Sequence, residues 1–270
     1  MTLDKTYLTF RSFTVKGGRI YSEMTDLTME VPLQIIVNGQ PHTLVMFTPQ
    51  NVRELAFGFI FTEGLINDVT DINDCKISAV RRDGEEIIEA SVDIDAKASS
   101  PMAASGKRVS YSSCGICGTE NYYQLKSRLK RVKSRQRFSM DMLNRVSHRL
   151  ETFQPLYTRT GGSHAAVLFD SKGKQIVRCE DMGRHNALDK LIGSTLINQI
   201  PSEDKVLVSS GRASLEMILK TVRAGFPVFV AMSRPTSRAV EAAKFYNVTL
   251  IDLAKNTNRI YSHVRRIEGY

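Results

Sequence analysis

Residues 205–254, KVLVSSGRASLEMILKTVRAGFPVFVAMSRPTSRAVEAAKFYNVTLIDLA, decide how the chain folds. KVLVSS, PVFVAM and VTLIDLA are short apolar runs of strand length, rich in Val and Ile. SLEMILKTVRAG and SRAVEAAKFYN lie between them at helical spacing, and Gly225 closes the first helix. Strands alternating with helices this regularly predict parallel strands in a layered α/β domain. Upstream, AAVLFD and KQIVRCED read as a strand pair turning at Lys172-Gly173, and NALDKLIGSTLI as a helix. The expected C-terminal unit is a three-layer α/β domain.

The first third has a different grammar. VPLQIIV and PHTLVMF flank Asn38-Gly39, the signature of a type I′ hairpin. Thr48-Pro49 reads as an N-cap followed by proline at the first helical position. Val52, Leu55, Phe59 and Ile60 then keep helical spacing as far as Gly64, and CKISAV and EEIIEASVDI read as a second hairpin turning at Asp83-Gly84. The expectation is a small α+β unit of order ββαββ. DAKASSPMAASGK (95–107) has no periodic apolar face and reads as a linker. The sequence thus divides into residues 1–108, an N-terminal α+β domain with its linker, and residues 109–270, which hold a CxxC loop, a basic helix and the α/β domain. That helix is expected from about Thr119, with Tyr122, Leu125, Leu129 and Val132 on one face.

Composition narrows the function. The chain has 270 residues, 24% charged and 42% hydrophobic, as a globular protein should. No apolar run is long enough to span a bilayer, and the N-terminus has no secretory pattern, so no membrane association is expected and the cytoplasm is the expected compartment. The net charge of +9 is local: residues 105–149 carry eleven Lys and Arg against two acids, and the remainder is balanced. Such a segment suggests a local acidic partner. It lacks RNP or KH signatures, so no nucleic acid is expected.

Cys114-Gly-Ile-Cys117 is the sharpest chemical feature. Two thiols at this spacing can form a disulfide, supply half a zinc site or relay sulfur; thiolate is the active form, favoured by nearby positive charge. A second CxxC or HxxxH is missing, so no metal is expected. Cys75 and Cys179 fall inside predicted strands and read as core thiols. Thr160-Gly161-Gly162-Ser163-His164 precedes a strand, and paired glycines expose backbone N–H groups to a ligand; a tight turn is the plainer alternative. Glu180-Asp181-Met182-Gly183-Arg184-His185-Asn186 lies between a strand and a helix, as a ligand site or as a helix cap with a surface ion pair. Gly211-Arg212 and Arg234-Pro-Thr236 each follow a predicted strand and precede a helix, where open α/β sheets bind phosphates. With no Walker A or GxGxxG motif, a P-loop or Rossmann site is excluded. A zinc deaminase is excluded too, because Ala166 stands where its HxE glutamate belongs.

The stretches EVPLQIIVNGQPHTLVMFTP, ELAFGFIFTEGLI, SSCGICG, TGGSHAA, EDMGRHNALDKLIG, SSGRASLEM with its following Lys220, and RPTSRAVEAA occur in this order. Together they resemble the FdhD/NarQ family of formate dehydrogenase accessory sulfurtransferases. The resemblance implies a C-terminal domain similar to the cytidine deaminase fold and a sulfur-carrying activity. In that reading Cys114 takes persulfide sulfur from a cysteine desulfurase, with Cys117 assisting. The acceptor is the molybdenum bis(molybdopterin guanine dinucleotide) cofactor, for which GDP or GTP should serve as an analogue, before that cofactor enters formate dehydrogenase. A family segment of pattern F-x-R-x-x-R that contacts the cofactor falls on Leu253-Ala254-Lys255-Asn256-Thr257-Asn258, where Lys255 keeps a positive charge without the arginine fork. The reading leaves room for a homodimer. A thiol–disulfide oxidoreductase using the same CxxC is the competing reading.

Overall fold

The computed structural model describes residues 5–95, 108–109, 129–254 and 257–270. The stretch that opened the sequence reading forms strands β10 (Val206–Arg212), β11 (Val228–Ser233) and β12 (Thr249–Asp252), separated by helices α5 (Leu215–Ala224) and α6 (Ser237–Tyr246). β10, β11 and β12 are parallel, pairing Leu207 with Phe229 and Phe229 with Leu250. β8 (His164–Phe169) and β9 (Gln175–Asp181) extend the sheet on one side and β13 (Arg259–Ile260) on the other, in the order β13-β12-β11-β10-β8-β9. Alternation along the strands separates two cores. Leu207, Phe229 and Leu250 face the larger one. Val206, Val208, Val228, Val230 and Ile251 face a smaller one closed by Met142, Leu143 and Val146 of α2 (Met140–His148). A sheet covered on both faces carries continuous apolar strands, and the three layers follow.

The N-terminal unit is a five-stranded sheet, β5-β6-β3-β4-β7. β3 (Val31–Val37) and β4 (Gln40–Phe47) join through Asn38-Gly39, both at positive φ. β5 (Ile72–Arg82) and β6 (Glu85–Ile94) join in the same way through Asp83-Gly84. β3 buries Val31, Leu33, Ile35 and Val37, the period of two that a one-sided sheet demands. β7 (Arg108–Val109) pairs with β4. Helix α1 (Val52–Thr62) lies on this sheet and against α4 (Arg184–Ile197) of the other unit. At their crossing a Cβ on Gly58 would stand 1.8 Å from the Asp189 carbonyl oxygen, and one on Gly193 1.9 Å from that of Glu54. Only glycine lets two helix backbones come this close.

Three expectations are corrected. Thr48-Pro49 does not cap α1: the helix begins at Val52, and its N-cap, Asn51, is left-handed with no side-chain capping bond. Thr48 is instead fully buried, donating its N–H to Asp181 Oδ2 (3.0 Å) and accepting at Oγ1 from the Met182 N–H (3.1 Å). The basic helix expected from about Thr119 does not include residues 129–136; its earlier residues lie outside those described. Residues 129–136 are irregular, held by Val132 N–H on the Tyr246 carbonyl (2.9 Å) and Asn247 Nδ2 on that of Val132 (2.6 Å). Closely spaced like charges disfavour a helix here, although Val132 is buried as its periodicity required. Third, ββαββ omits a leading hairpin, β1 (Tyr7–Lys16) and β2 (Arg19–Thr28), turning at Gly17-Gly18. Arg159 anchors its base, 2.7 Å from Asp26 and over the Tyr7 ring; Phe13, Val15, Ile20 and Met24 stay exposed further out.

Candidate functional site

The carboxyl ends of β9, β10, β11 and β12 and the start of β8 meet at one edge of the six-stranded sheet. A cavity of about 690 Å³ opens there, within the range of a small-molecule or cofactor site. Gly161, Gly162 and His164 line it, so the sequence segment before β8 does contribute to a cleft. Gly161, left-handed at φ 67°, ends helix α3 (Pro155–Thr160). A Cβ on Gly162 would press to 2.9 Å from Thr28 Oγ1. Ser163 is buried and donates to Glu180 Oε1 (2.9 Å), whose carboxylate also accepts the Leu156 and Tyr157 N–H groups. This pairing holds the glycine turn against β9.

Ser210 Oγ accepts the Ala165 N–H at 2.9 Å and lies 3.3 Å from His164 Nδ1. Ser210 thus ties the His164 ring to the start of β8. Burial, then the charge of Arg184, lowers the His164 pKa, so the ring is neutral in the cavity wall at neutral pH.

The other sequence candidates share this edge without lining the cavity. Arg212 and Arg234 are exposed, each two residues beyond a lining residue, Ser210 and Met232. Thr236 Oγ1 accepts the Ala239 N–H as N-cap of α6. Gly211 is buried over Arg184, whose Cδ would be 3.0 Å from an added Cβ. Arg184 Nε is buried without a hydrogen-bond partner. Neither ring nitrogen of the buried His185 makes a hydrogen bond. Burial, then Lys220, Arg184 and His164, brings its pKa down to about 3, so the 3.4 Å approach of Nε2 to Glu216 Oε2 is not an ion pair at neutral pH. Asn186 Nδ2 donates to the Met46 carbonyl (2.8 Å) and Asp181 Oδ1 (3.0 Å), tying α4 to β4. Leu253 is buried in the smaller core, and Ala254 and Thr257 bond to Asp252 and to each other, while Asn258 is left-handed. Cys114, Cys117, Lys255 and Asn256 lie outside the described residues.

Sequence reasoning missed Ser210, Met232 and the wall formed by His148, Glu151, Gln154 and Tyr157. Ser210 stood in a motif already quoted. The wall comes from a segment with no motif, brought here by tertiary packing alone. Among the described residues the cavity lining holds no lysine or arginine. Cys75 is half-buried and Cys179 buried, and burial raises both thiols, Cys179 to about 12; both are inert core thiols. Among the described residues no cluster could hold a metal ion, and no helix is long and apolar enough to cross a membrane.

Comparison with known proteins agrees with this picture. A sulfur carrier protein FdhD of Mycolicibacterium paratuberculosis is 38% identical over 265 residues, covering 93% of this chain and 95% of its own. That of Bordetella bronchiseptica is 33% identical over 257 residues, 94% and 92% of the two chains. A crystal structure of a candidate formate dehydrogenase accessory protein from Desulfotalea psychrophila superposes with a TM-score of 0.77 at 22% identity, covering 97% of this chain and 100% of that one, and so shares the fold. The FdhD/NarQ family pattern matches residues 28–268, a span that takes in both sheets, the CxxC and the cavity, and the chain belongs to the FdhD/NarQ family.

Proposed function

We propose that this protein is a sulfur carrier that loads Cys114 from a cysteine desulfurase and passes the sulfur to a molybdenum bis(molybdopterin guanine dinucleotide) substrate destined for formate dehydrogenase. The observation that supports it most is the coincidence of family membership with a polar cavity formed by the family segment Thr160–Ala166 at the sheet edge. In the loading step the Cys114 thiolate attacks the outer sulfur of the donor persulfide. A new S–S bond forms, the donor leaves as a thiolate, and no net redox change occurs. For release, the Cys117 thiolate attacks the inner sulfur of Cys114. The outer sulfur departs as sulfide and the pair is oxidised to a disulfide. Both thiols must start reduced, which requires a reducing compartment such as the cytoplasm.

The cavity wall supplies neutral polar groups, the His164 imidazole and the glycine backbone among them, for the uncharged part of the substrate. The exposed Arg212 and Arg234 are left to meet its phosphates, where charge-assisted bonds are strong. The test is mass spectrometry after incubation with a cysteine desulfurase and cysteine. Wild-type protein should gain one sulfur atom, Cys114→Ala none, and the variant should fail to restore formate dehydrogenase activity in a strain lacking this function. A Cys114–Cys117 disulfide with no added sulfur would instead mark a thiol–disulfide oxidoreductase.

A further inference from the structure

A second cleft, of about 660 Å³, lies at the other edge of the six-stranded sheet, where β11 and β12 begin. Arg135, Arg137, Arg265 and Arg266 line it, together with His263. Arg266 forms the floor. It is 8% exposed, and donates to the Thr249 hydroxyl (2.8 Å) and the carbonyls of Pro227 (3.3 Å) and Ser134 (3.4 Å). Burial lowers its pKa. Arg137 donates to the Ile267 carbonyl (3.0 Å) and to the terminal main-chain oxygen of Tyr270 (2.7 Å), while Arg135 and Arg265 are exposed. Among the described residues Arg135, Arg265 and Arg266 have no carboxylate within ion-pair distance. Glu203 and Glu268, acids of neighbouring segments, do not line the cleft.

A row of surface cations is usually only a solvated face. A buried guanidinium without a counter-charge is different: it is costly, and a carboxylate brought to it from outside recovers part of that cost. Among the described residues the lining contains no Phe, Tyr or Trp, the side chains on which bases stack. The four arginines come from two separate chain segments, which suits a row of carboxylates better than one phosphate.

We propose that this cleft docks an acidic segment of a protein partner. The position suits a donor of sulfur: Cys117 precedes Lys130 by thirteen residues, so the thiols are tethered within about 45 Å of chain from the cleft's basic approach. Docking there raises the partner's effective concentration at the thiols. The charge argument stands whether or not Cys114 carries sulfur.

The test uses the full chain and a fluorescein-labelled deca-glutamate peptide, read by fluorescence anisotropy. Among the described residues the Arg135 and Arg265 side chains make no hydrogen bond or ion pair, so R135E/R265E should keep the wild-type thermal midpoint while binding weakens at least about tenfold, and wild-type binding should fall as salt rises. K172E/K174E removes equal charge at the β8–β9 turn and should stay within about twofold of wild type. Equal weakening in both double variants, or none in R135E/R265E, overturns the proposal. So does tighter binding of oligouridylate at the same arginines, which would make the cleft a nucleic-acid site.

Discussion

Single residues show how burial is turned into acid sensitivity. His185 is shut between α4 and α5 with Lys220, Arg184 and His164 facing it and Glu216 beside it. Its folded pKa of about 3 lies far below the unfolded value of 6.5. The folded state therefore refuses the proton that the unfolded chain accepts. Its contribution to stability is whole above the unfolded value and is lost as pH falls from there towards the folded one. Between about pH 7 and pH 5 the loss should reach about 2 kcal/mol. Urea unfolding of His185→Gln should show a drop smaller by about that amount. If both proteins lose the same stability, another group takes up the proton; His164, whose pKa is also lowered, is the next to examine.

At the scale of elements, the parts legible in sequence are those whose cause is local. Asn38-Gly39 and Asp83-Gly84 turn because both residues of each pair accept positive φ. Gly225 and Asn247 end α5 and α6 for the same reason. What stayed hidden depends on distant partners. Thr48 resembles an N-cap until Asp181, 133 residues away, takes its N–H. Leu129–Gln136 resembles a helix until Tyr246 and Asn247 claim its backbone. The β1–β2 hairpin lacks a buried face and so carries no burial period. In the site, the glycine turn and His164 were legible as a motif, whereas His148 and Tyr157 had no local signal. Gly58 and Gly193 belong to the hidden class: each is mid-helix, and only the crossing explains it. Both clashes would be with backbone, which cannot rotate away. Gly58→Ala and Gly193→Ala should each destabilise by about 3 kcal/mol or more. One displacement of α1 from α4 relieves both, so the double variant should cost less than the two singles together. Additive losses in denaturant titrations would show that the two glycines act separately.

Across the whole molecule, the two sheets share one core: the cluster containing Leu33, Ile35 and Ile60 continues into Leu191, Leu207 and Phe229. Two buried lysines sit at the junction. Lys190 meets Asp181 at 2.7 Å and donates to the Thr48 carbonyl, so it touches both units. Lys220 meets Asp189 at 2.6 Å and Thr62 of α1 at 3.1 Å. Burial opposes the Lys220 ammonium, but Asp189, Glu216 and Glu63 outweigh it and raise its pKa. Burial pushes the Asp189 carboxyl up, with Lys220 pulling the other way. With three carboxylates around one ammonium, the lysine is the member that stays charged. Lys220→Met leaves buried acid without its cation and should cost about 3–5 kcal/mol, whereas Lys220→Met with Asp189→Leu should recover most of it. Because the core and these pairs span both sheets, the two should unfold together. Native-state hydrogen exchange should give amides of β3 and β11 the same opening free energy in the wild type, and Lys220→Met should lower both equally. If β3 opened at a lower free energy than β11, the two sheets would be separate cooperative units and the lysine pairs only local contacts.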